Sequence, residues 1–267
     1  MSLSINILIS TIGERIDRVA LIPLPPAEGI SYIISHQTDG SHPAPAQLVG
    51  RPDVTIYTLA GRGLSANRNN ALAHATADLL VLADDDITLI PQYLDDLRQL
   101  ADAHHETDIF TLQAFTPEGK PLHYYPDAPF THPHVPKGFY YNSMGIVLRK
   151  GRDYPPFDTR FGLGAPHLMA GEEDIFIHES HLRHLRIDYY PQPLLITPGV
   201  TTSSHYATDS RLQQTKGAVL ALIHSTPGAL LRYVSTAIKM RRMLAPMPHL
   251  RNLVKGMKYI HRHATTH

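Results

Sequence analysis

The sequence predicts an α/β protein with a mainly parallel central sheet flanked by helices, followed by a C-terminal helical appendage. Two observations predict it. Over the first hundred residues, short β-branched runs alternate with stretches of helical spacing, the order of elements that builds parallel sheets. Residues 210–267 then return to helical periodicity with a different charge. All 24 Asp and Glu residues lie in 1–209 beside 14 Lys and Arg, whereas 210–267 carry 10 Lys and Arg and no acid. The net charge of zero therefore divides into an acidic body, 1–209, and a basic extension, 210–267, and an acidic partner is expected for the latter.

Taken in order, Ser4–Thr11, Gly29–Ser35 and Val54–Leu59 are short and rich in β-branched residues, the texture of buried strands. Leu64–Thr76 places Leu64, Ala71, Leu72 and Ala75 at helical spacing, with Ser65 in position to cap the start. Leu79–Ala83 reads as a fourth strand, and Pro91–His104 as a helix with Leu94, Leu97 and Leu100 on one face. From 107 to 206 the pattern loosens. Strand candidates at Ile109–Gln113, Asn142–Arg149 and Ile187–Tyr190 sit between loops rich in Pro, Gly, His and Tyr, which suggests a mixed extension of the sheet carrying binding loops. The extension reads as helices at Gln213–His224, Gly228–Leu244 and Leu250–His261, broken between the last two by Pro246 and Pro248.

With 267 residues and 43% apolar content, the chain can bury one sizeable core and is not a disordered tail. The absence of cysteine excludes disulfides and thiolate metal sites and fits a reducing compartment, so the expected location is cytoplasmic. The opening M-S-L-S-I-N-I-L-I-S lacks a basic leader and reads as a strand rather than a signal peptide. No run approaches the ~18 apolar residues that a membrane-spanning helix needs.

Asp84, Asp85 and Asp86 follow directly after the fourth strand, at the sheet edge where open parallel sheets bind ligands. Three adjacent carboxylates repel one another. A divalent cation relieves that repulsion, and Mg²⁺ or Mn²⁺ binds one or two carboxylates together with substrate phosphates. A nucleotide diphosphate is the natural co-ligand. A solvated acidic turn is the plainer alternative.

Two segments narrow the choice: "GRGLSANRNNALAHATADLLVLADDD" and, nearly ninety residues on, "GLGAPHLMAGEEDIFIHESHLRHLRIDYYPQP". In both, over roughly residues 4–206, the chain resembles glycosyltransferase family 2, the inverting sugar transferases of the GT-A fold. The resemblance rests on Gly63, Ser65, Arg68 and Asn69 before the metal-binding strand, the aspartates at its end, and Gly171, Glu173 and Asp174 at the start of a later helix. It implies a GT-A catalytic domain over 1–209. The implied enzyme moves a hexosyl or N-acetylhexosaminyl group from a nucleotide-diphosphate donor, a UDP-sugar being favoured, to a glycan or lipid-linked acceptor. The setting it implies is bacterial cell-envelope polysaccharide synthesis.

The same resemblance implies roles for single residues. Asp174 becomes the general base, with Glu173 its nearest competitor because E-E-D allows a shift by one. The metal, Mn²⁺ or Mg²⁺, falls to Asp84, Asp85 and Asp86. Many relatives have aspartate where this chain has Ala83, so either Asp84 and Asp86 bind the ion, or Asp85 and Asp86 do with a neighbour on the ribose. His205 is a further candidate ligand. Donor binding falls to Thr11, Ser35, His36, Gln37, Arg68, Asp84, Asp85, Asn142 and Ser143, while Tyr140 and Tyr141 are candidates to stack on a ring. The second strand departs from the family by ending in "SHQTDG" rather than in an aspartate pair that reads uracil.

In the extension, Leu231, Val234 and Ile238 mark one face of a helix and Arg232, Lys239 and Arg242 another. Either this helix packs back on the body, or its cations, together with Arg241, Arg251, Lys255 and Lys258, face an anionic membrane surface as a peripheral anchor. Nothing resembles a nucleic-acid module. Two rival activities remain: a nucleotidyltransferase of similar fold and a non-catalytic nucleotide-sugar-binding subunit.

Overall fold

A computed structural model describes residues 2–24, 26–198 and 205–263. It divides into two compact units. One comprises Met1–Arg62, Ala66–Pro156 and Glu179–Gly199; the other comprises Gly63–Ser65, Phe157–His178 and Val200–His267. This grouping differs from a division at residue 209, because the C-terminal helices belong with Phe157–His178.

The first unit is built on eight strands: β1 (Ile5–Ile12), β2 (Ile30–Gln37), β3 (Val54–Leu59), β4 (Leu79–Asp84), β5 (Ile109–Phe115), β6 (Phe130–Thr131), β7 (Ile146–Arg149) and β8 (Ile187–Ile196). They form one sheet in the order β3-β2-β1-β4-β7-β5-β8-β6. The pairs among β1, β2, β3 and β4 are parallel, whereas β7 runs antiparallel to both of its neighbours and β6 antiparallel to β8. The mixed extension expected beyond residue 107 is thus present. Every residue of β1 from Ile5 to Thr11 is buried, so both faces of the central strands are covered and the sequence reads as a nearly continuous apolar run. Ile5, Ile7 and Ile9 share one core with Ile34, Val81, Leu94, Leu97 and Phe110.

Helices α1 (Ile16–Leu21), α2 (Ala46–Val49), α3 (Leu64–Ala73) and α4 (Pro91–Ala103) connect the strands. In α4 the expected face is buried through Leu94 and Leu97. In α3 the expectation fails in an instructive way. Ser65 lies inside the helix rather than capping it, and the buried side is mostly polar: Ser65, Asn67 and Arg68, with Ala71. Those side chains are used for hydrogen bonds rather than for apolar packing, so hydrophobic periodicity did not reveal the buried face.

The second unit carries α5 (Glu172–Leu182) from its first turn, then α6 (Ser210–Ile223), α7 (Thr226–Lys239) and α8 (Pro246–Arg262). Helices α6 and α8 meet backbone to backbone. A Cβ at Gly217 would lie 2.0 Å from the Leu253 carbonyl oxygen, and one at Gly256 would lie 1.8 Å from that of Gln214. One correction applies to the sequence reading. Pro246 and Pro248 do not break a helix but open α8, because a proline in the first turn forfeits no helical hydrogen bond. In α7, Ala229, Tyr233 and Ala237 are buried, while Leu231, Val234 and Ile238, for which packing on the body and exposure to a membrane were both open, are 73%, 49% and 51% exposed. Among the described residues no helix is long and apolar enough to cross a membrane.

Candidate active site

The first unit gathers its chemistry at the carboxyl ends of β1 and β4. Parallel register sets Ser10 beside Asp84, so Thr11 and the turn Gly13–Arg15 come up against Asp85 and Asp86. Asp85 is 2% exposed and fully committed. It accepts a hydrogen bond of 2.8 Å from the Thr11 hydroxyl and is gripped by Arg15, whose Nε lies 2.8 and 3.1 Å from the two carboxylate oxygens and whose Nη2 also donates. The paired carboxylate raises the pKa of Arg15 above the usual guanidinium value. Asp84 lies 3.3 Å from Nη2 of Arg68, a buried guanidinium that also donates to Ser143 Oγ at 2.6 Å. Asp86 is less well provided for, with Arg15 3.9 Å away. Burial, and then the like charges of Asp84 and Asp85, raise its pKa.

The first unit therefore brings Thr11, Arg68, Ser143 and all three aspartates together. Asp84 and Asp86 alternate in sequence and supply oxygen donors, and burial and like charge raise the proton affinity of Asp86. That donor set suits a hard cation that keeps its other positions for phosphate or water. Among the described residues no three His, Asp or Glu side chains form a metal-holding group. His205 is exposed and begins the turn before α6, where its carbonyl accepts from Thr208 and Asp209.

The ends of β2 have an internal role. Ser35 is buried and accepts from Asn70 Nδ2 at 2.8 Å, and His36 Nε2 lies 2.9 Å from the Gly13 carbonyl, fixing the turn that carries Arg15. Gln37 is 2% exposed. Asn142 sits 2.8 Å from His123 Nε2, and His123 stacks on Tyr140 at 4.0 Å. Tyr141 hydrogen-bonds to His132 at 2.9 Å.

The second unit holds the E-E-D turn. Gly171, at φ +86°, admits only glycine, since a Cβ would lie 2.5 Å from Val219. The three acids that follow are not equivalent. Glu172 is buried at 4% exposure, close against Gly162. Asp174 keeps 32% of its side-chain exposure, with Lys216 of α6 4.0 Å away. Loss of hydration raises the Asp174 pKa, and Lys216 opposes the rise. Such a carboxylate is suited to taking up a proton.

Sequence reasoning missed two residues, Arg15 and Lys216. Arg15 was signalled by its place four residues beyond Thr11, but only the β1–β4 register shows that this turn meets the aspartates. Lys216 had no signal at all, because it reaches Asp174 through helix packing.

Comparisons with known proteins bear on the family and the fold. No curated protein matches the chain. Among solved structures it is similar to S. aureus TarS 1–349, at 11% identity and a TM-score of 0.55 over 99% of this chain and 93% of that one. A longer TarS structure matches at 12% identity and a TM-score of 0.53, over 96% of this chain and 55% of that one. TarS 1–349 in complex with UDP matches at 14% identity and a TM-score of 0.51, over 99% and 93%. These likenesses identify the GT-A fold. The model of glycosyl transferase family 2 matches residues 11–157, more than half of the sequence and the whole span from Thr11 through the three aspartates to Ser143. That span includes the carboxylates at the end of β4 and the buried polar side of α3, and the chain belongs to glycosyl transferase family 2.

Proposed function

We propose that the protein transfers a hexosyl or N-acetylhexosaminyl group, with inversion, from a nucleoside diphosphate sugar to a glycan or lipid-linked acceptor. The observation that carries this reading is Asp174, an acid that combines solvent access with a raised proton affinity. The acceptor oxygen attacks the anomeric carbon from the face opposite the leaving group. Its new C–O bond forms as the bond from that carbon to the diphosphate oxygen breaks. The hydroxyl proton passes to Asp174, and the electron pair departs with the nucleoside diphosphate. Glu173 is the alternative proton acceptor.

Asp84 and Asp86 would hold Mn²⁺ or Mg²⁺, since Asp85 is already neutralised by Arg15. Bound there, such an ion would offset the charge growing on the leaving diphosphate. Arg68 adds fixed positive charge behind Asp84 and orients Ser143. Asn142 and Ser143 would border the donor sugar. Thr11, Ser35 and His36 would serve the donor pocket through the groups they position, with Gln37 beside them at the nucleotide base. The UDP carried by a TarS structure supports a uridine nucleotide. The exposed Leu231, Val234 and Ile238, with Arg232, Lys239, Arg241 and Arg242 nearby, support docking on an anionic membrane surface. Each cation contributes about 1 kcal/mol at such a surface.

The deciding experiment is incubation with a panel of UDP-sugars, with and without Mn²⁺. Metal-dependent release of UDP is expected. Release of sugar 1-phosphate would instead identify attack at the α-phosphate, as in a nucleotidyltransferase, and no turnover of any sugar nucleotide would identify a binding subunit. For the membrane contact, co-sedimentation with phosphatidylserine vesicles should exceed that with neutral phosphatidylcholine vesicles and fall in a Leu231→Ser/Ile238→Ser variant. Equal pelleting in both would remove lipid as a partner.

A further inference from the structure

The second unit contains an open groove of about 610 Å³ formed largely by α6 and α7. On α7, Arg232, Ser235, Thr236 and Lys239 recur at i, i+3, i+4 and i+7 and so share one side of the helix. Across from them α6 contributes Lys216, and Ser225 lies at the junction of the two helices. Among the described residues, three cations and three hydroxyls thus line the groove and no carboxylate does. Burial, and then the charges of Arg232, His178 and Lys216, hold the His224 imidazole below its usual pKa.

Like charges brought together without a counter-ion destabilise a compact structure. An exposed lysine or arginine stripe by itself is ordinary. Its convergence with Lys216 is not, because Lys216 also lies 4.0 Å from Asp174. One end of the groove is therefore at the carboxylate assigned as base. The geometry points to a binding site for a phosphate group of the acceptor, held by Lys216, Arg232 and Lys239 so that a neighbouring hydroxyl is presented to Asp174. This deepens the transferase reading and rests on it: the acceptor class becomes a phosphate-bearing glycan, polyol or lipid-linked saccharide. Arginine and lysine suit the task, since guanidinium can engage two phosphate oxygens and ammonium acts as a compact point charge.

The donor diphosphate is a second possible source of phosphate, and the test distinguishes the two. Glycerol 3-phosphate would be titrated into the full chain by NMR or calorimetry, with glycerol as the uncharged control, in the wild type, in Arg232→Gln/Lys239→Gln and in Asp174→Asn. Saturable binding of glycerol 3-phosphate but not of glycerol is expected, at least tenfold weaker in the double variant. In Asp174→Asn it should be as tight or tighter, because a competing carboxylate beside Lys216 is gone. Binding should also persist under saturating UDP. Equal affinity in the wild type and the double variant, absence of binding by the wild type, or displacement by UDP would each overturn the assignment. Both substituted side chains are exposed, and circular dichroism confirms that the double variant is folded; Lys216→Gln provides a second reduction of charge. Full transfer activity in Asp174→Asn would sink the base assignment while leaving this titration unchanged.

Discussion

The chain contains two runs of three acidic residues, and their members meet different surroundings. In Asp84–Asp86, Arg15 and Thr11 hold the middle carboxylate, Arg68 backs the first, and burial and like charge raise the pKa of the third. In Glu172–Asp174 the first member is buried, and the last lies 4.0 Å from Lys216 with a proton affinity raised by desolvation. In the function proposed above, one cluster would bind a cation and the other would accept a proton. The same residue type is steered to either task by what its neighbours supply.

The largest effect is expected where this contrast is removed. Asp174→Asn should lower transfer by about 10²–10⁴-fold, the usual worth of a positioned general base, while UDP binding measured by calorimetry changes little. Unchanged turnover would end the distinction between the two clusters. Glu172→Gln, by contrast, should show its effect in thermal unfolding, since it disturbs a buried group.

The next test separates the aspartates of the first cluster. Asp86→Asn should raise the Mn²⁺ concentration needed for half-maximal activity by an order of magnitude or more. Asp85→Asn should keep the metal response and lose stability, by about 1–2 kcal/mol for the charge-assisted bonds from a partly exposed arginine. A metal requirement that moved with Asp85 instead would support the other register, Asp85 with Asp86.

The smallest effect is in pH. A base works only when ionised, so a raised Asp174 pKa places the rising limb of the rate–pH profile above the ordinary carboxylate range of about 4. Activity is low below that pKa and gained as pH rises through it. Lys216 opposes the shift, so Lys216→Gln should move the limb to higher pH. Asp86 adds to the same trend, because its protonation on the acid side would weaken metal binding. A limb that stays in place in Lys216→Gln would show that the lysine does not act on the base.

Much of the site was legible in the sequence because strand and helix boundaries fall where local pattern is strong. Val54–Leu59 begins and ends where its β-branched run does, and Asp84 closes β4 at the edge where a ligand belongs. The legible part stops at side chains whose partners are distant in the chain. Ser35 and His36, expected at the nucleotide, have hydrogen bonds to Asn70 and Gly13. The polar side of α3 is buried against hydrogen-bond partners that no periodicity encodes. The apolar face of α7 was read correctly as apolar, yet Ala229, Tyr233 and Ala237 are what the fold buries.

The sequence by itself determined the class of fold, the succession of β1, β2, β3, α3, β4 and α4 without α1 and α2, the placement of two acidic clusters and the segregation of positive charge into residues 210–267. Those follow from local propensity and composition, which act over a few residues. Tertiary structure decided that Arg15 meets Asp85, that Lys216 comes to 4.0 Å from Asp174, and that Lys216, Arg232 and Lys239 line one groove. Charge and proton affinity depend on what lies within a few ångströms, and packing brings residues 15 and 85, or 174 and 216, to that distance.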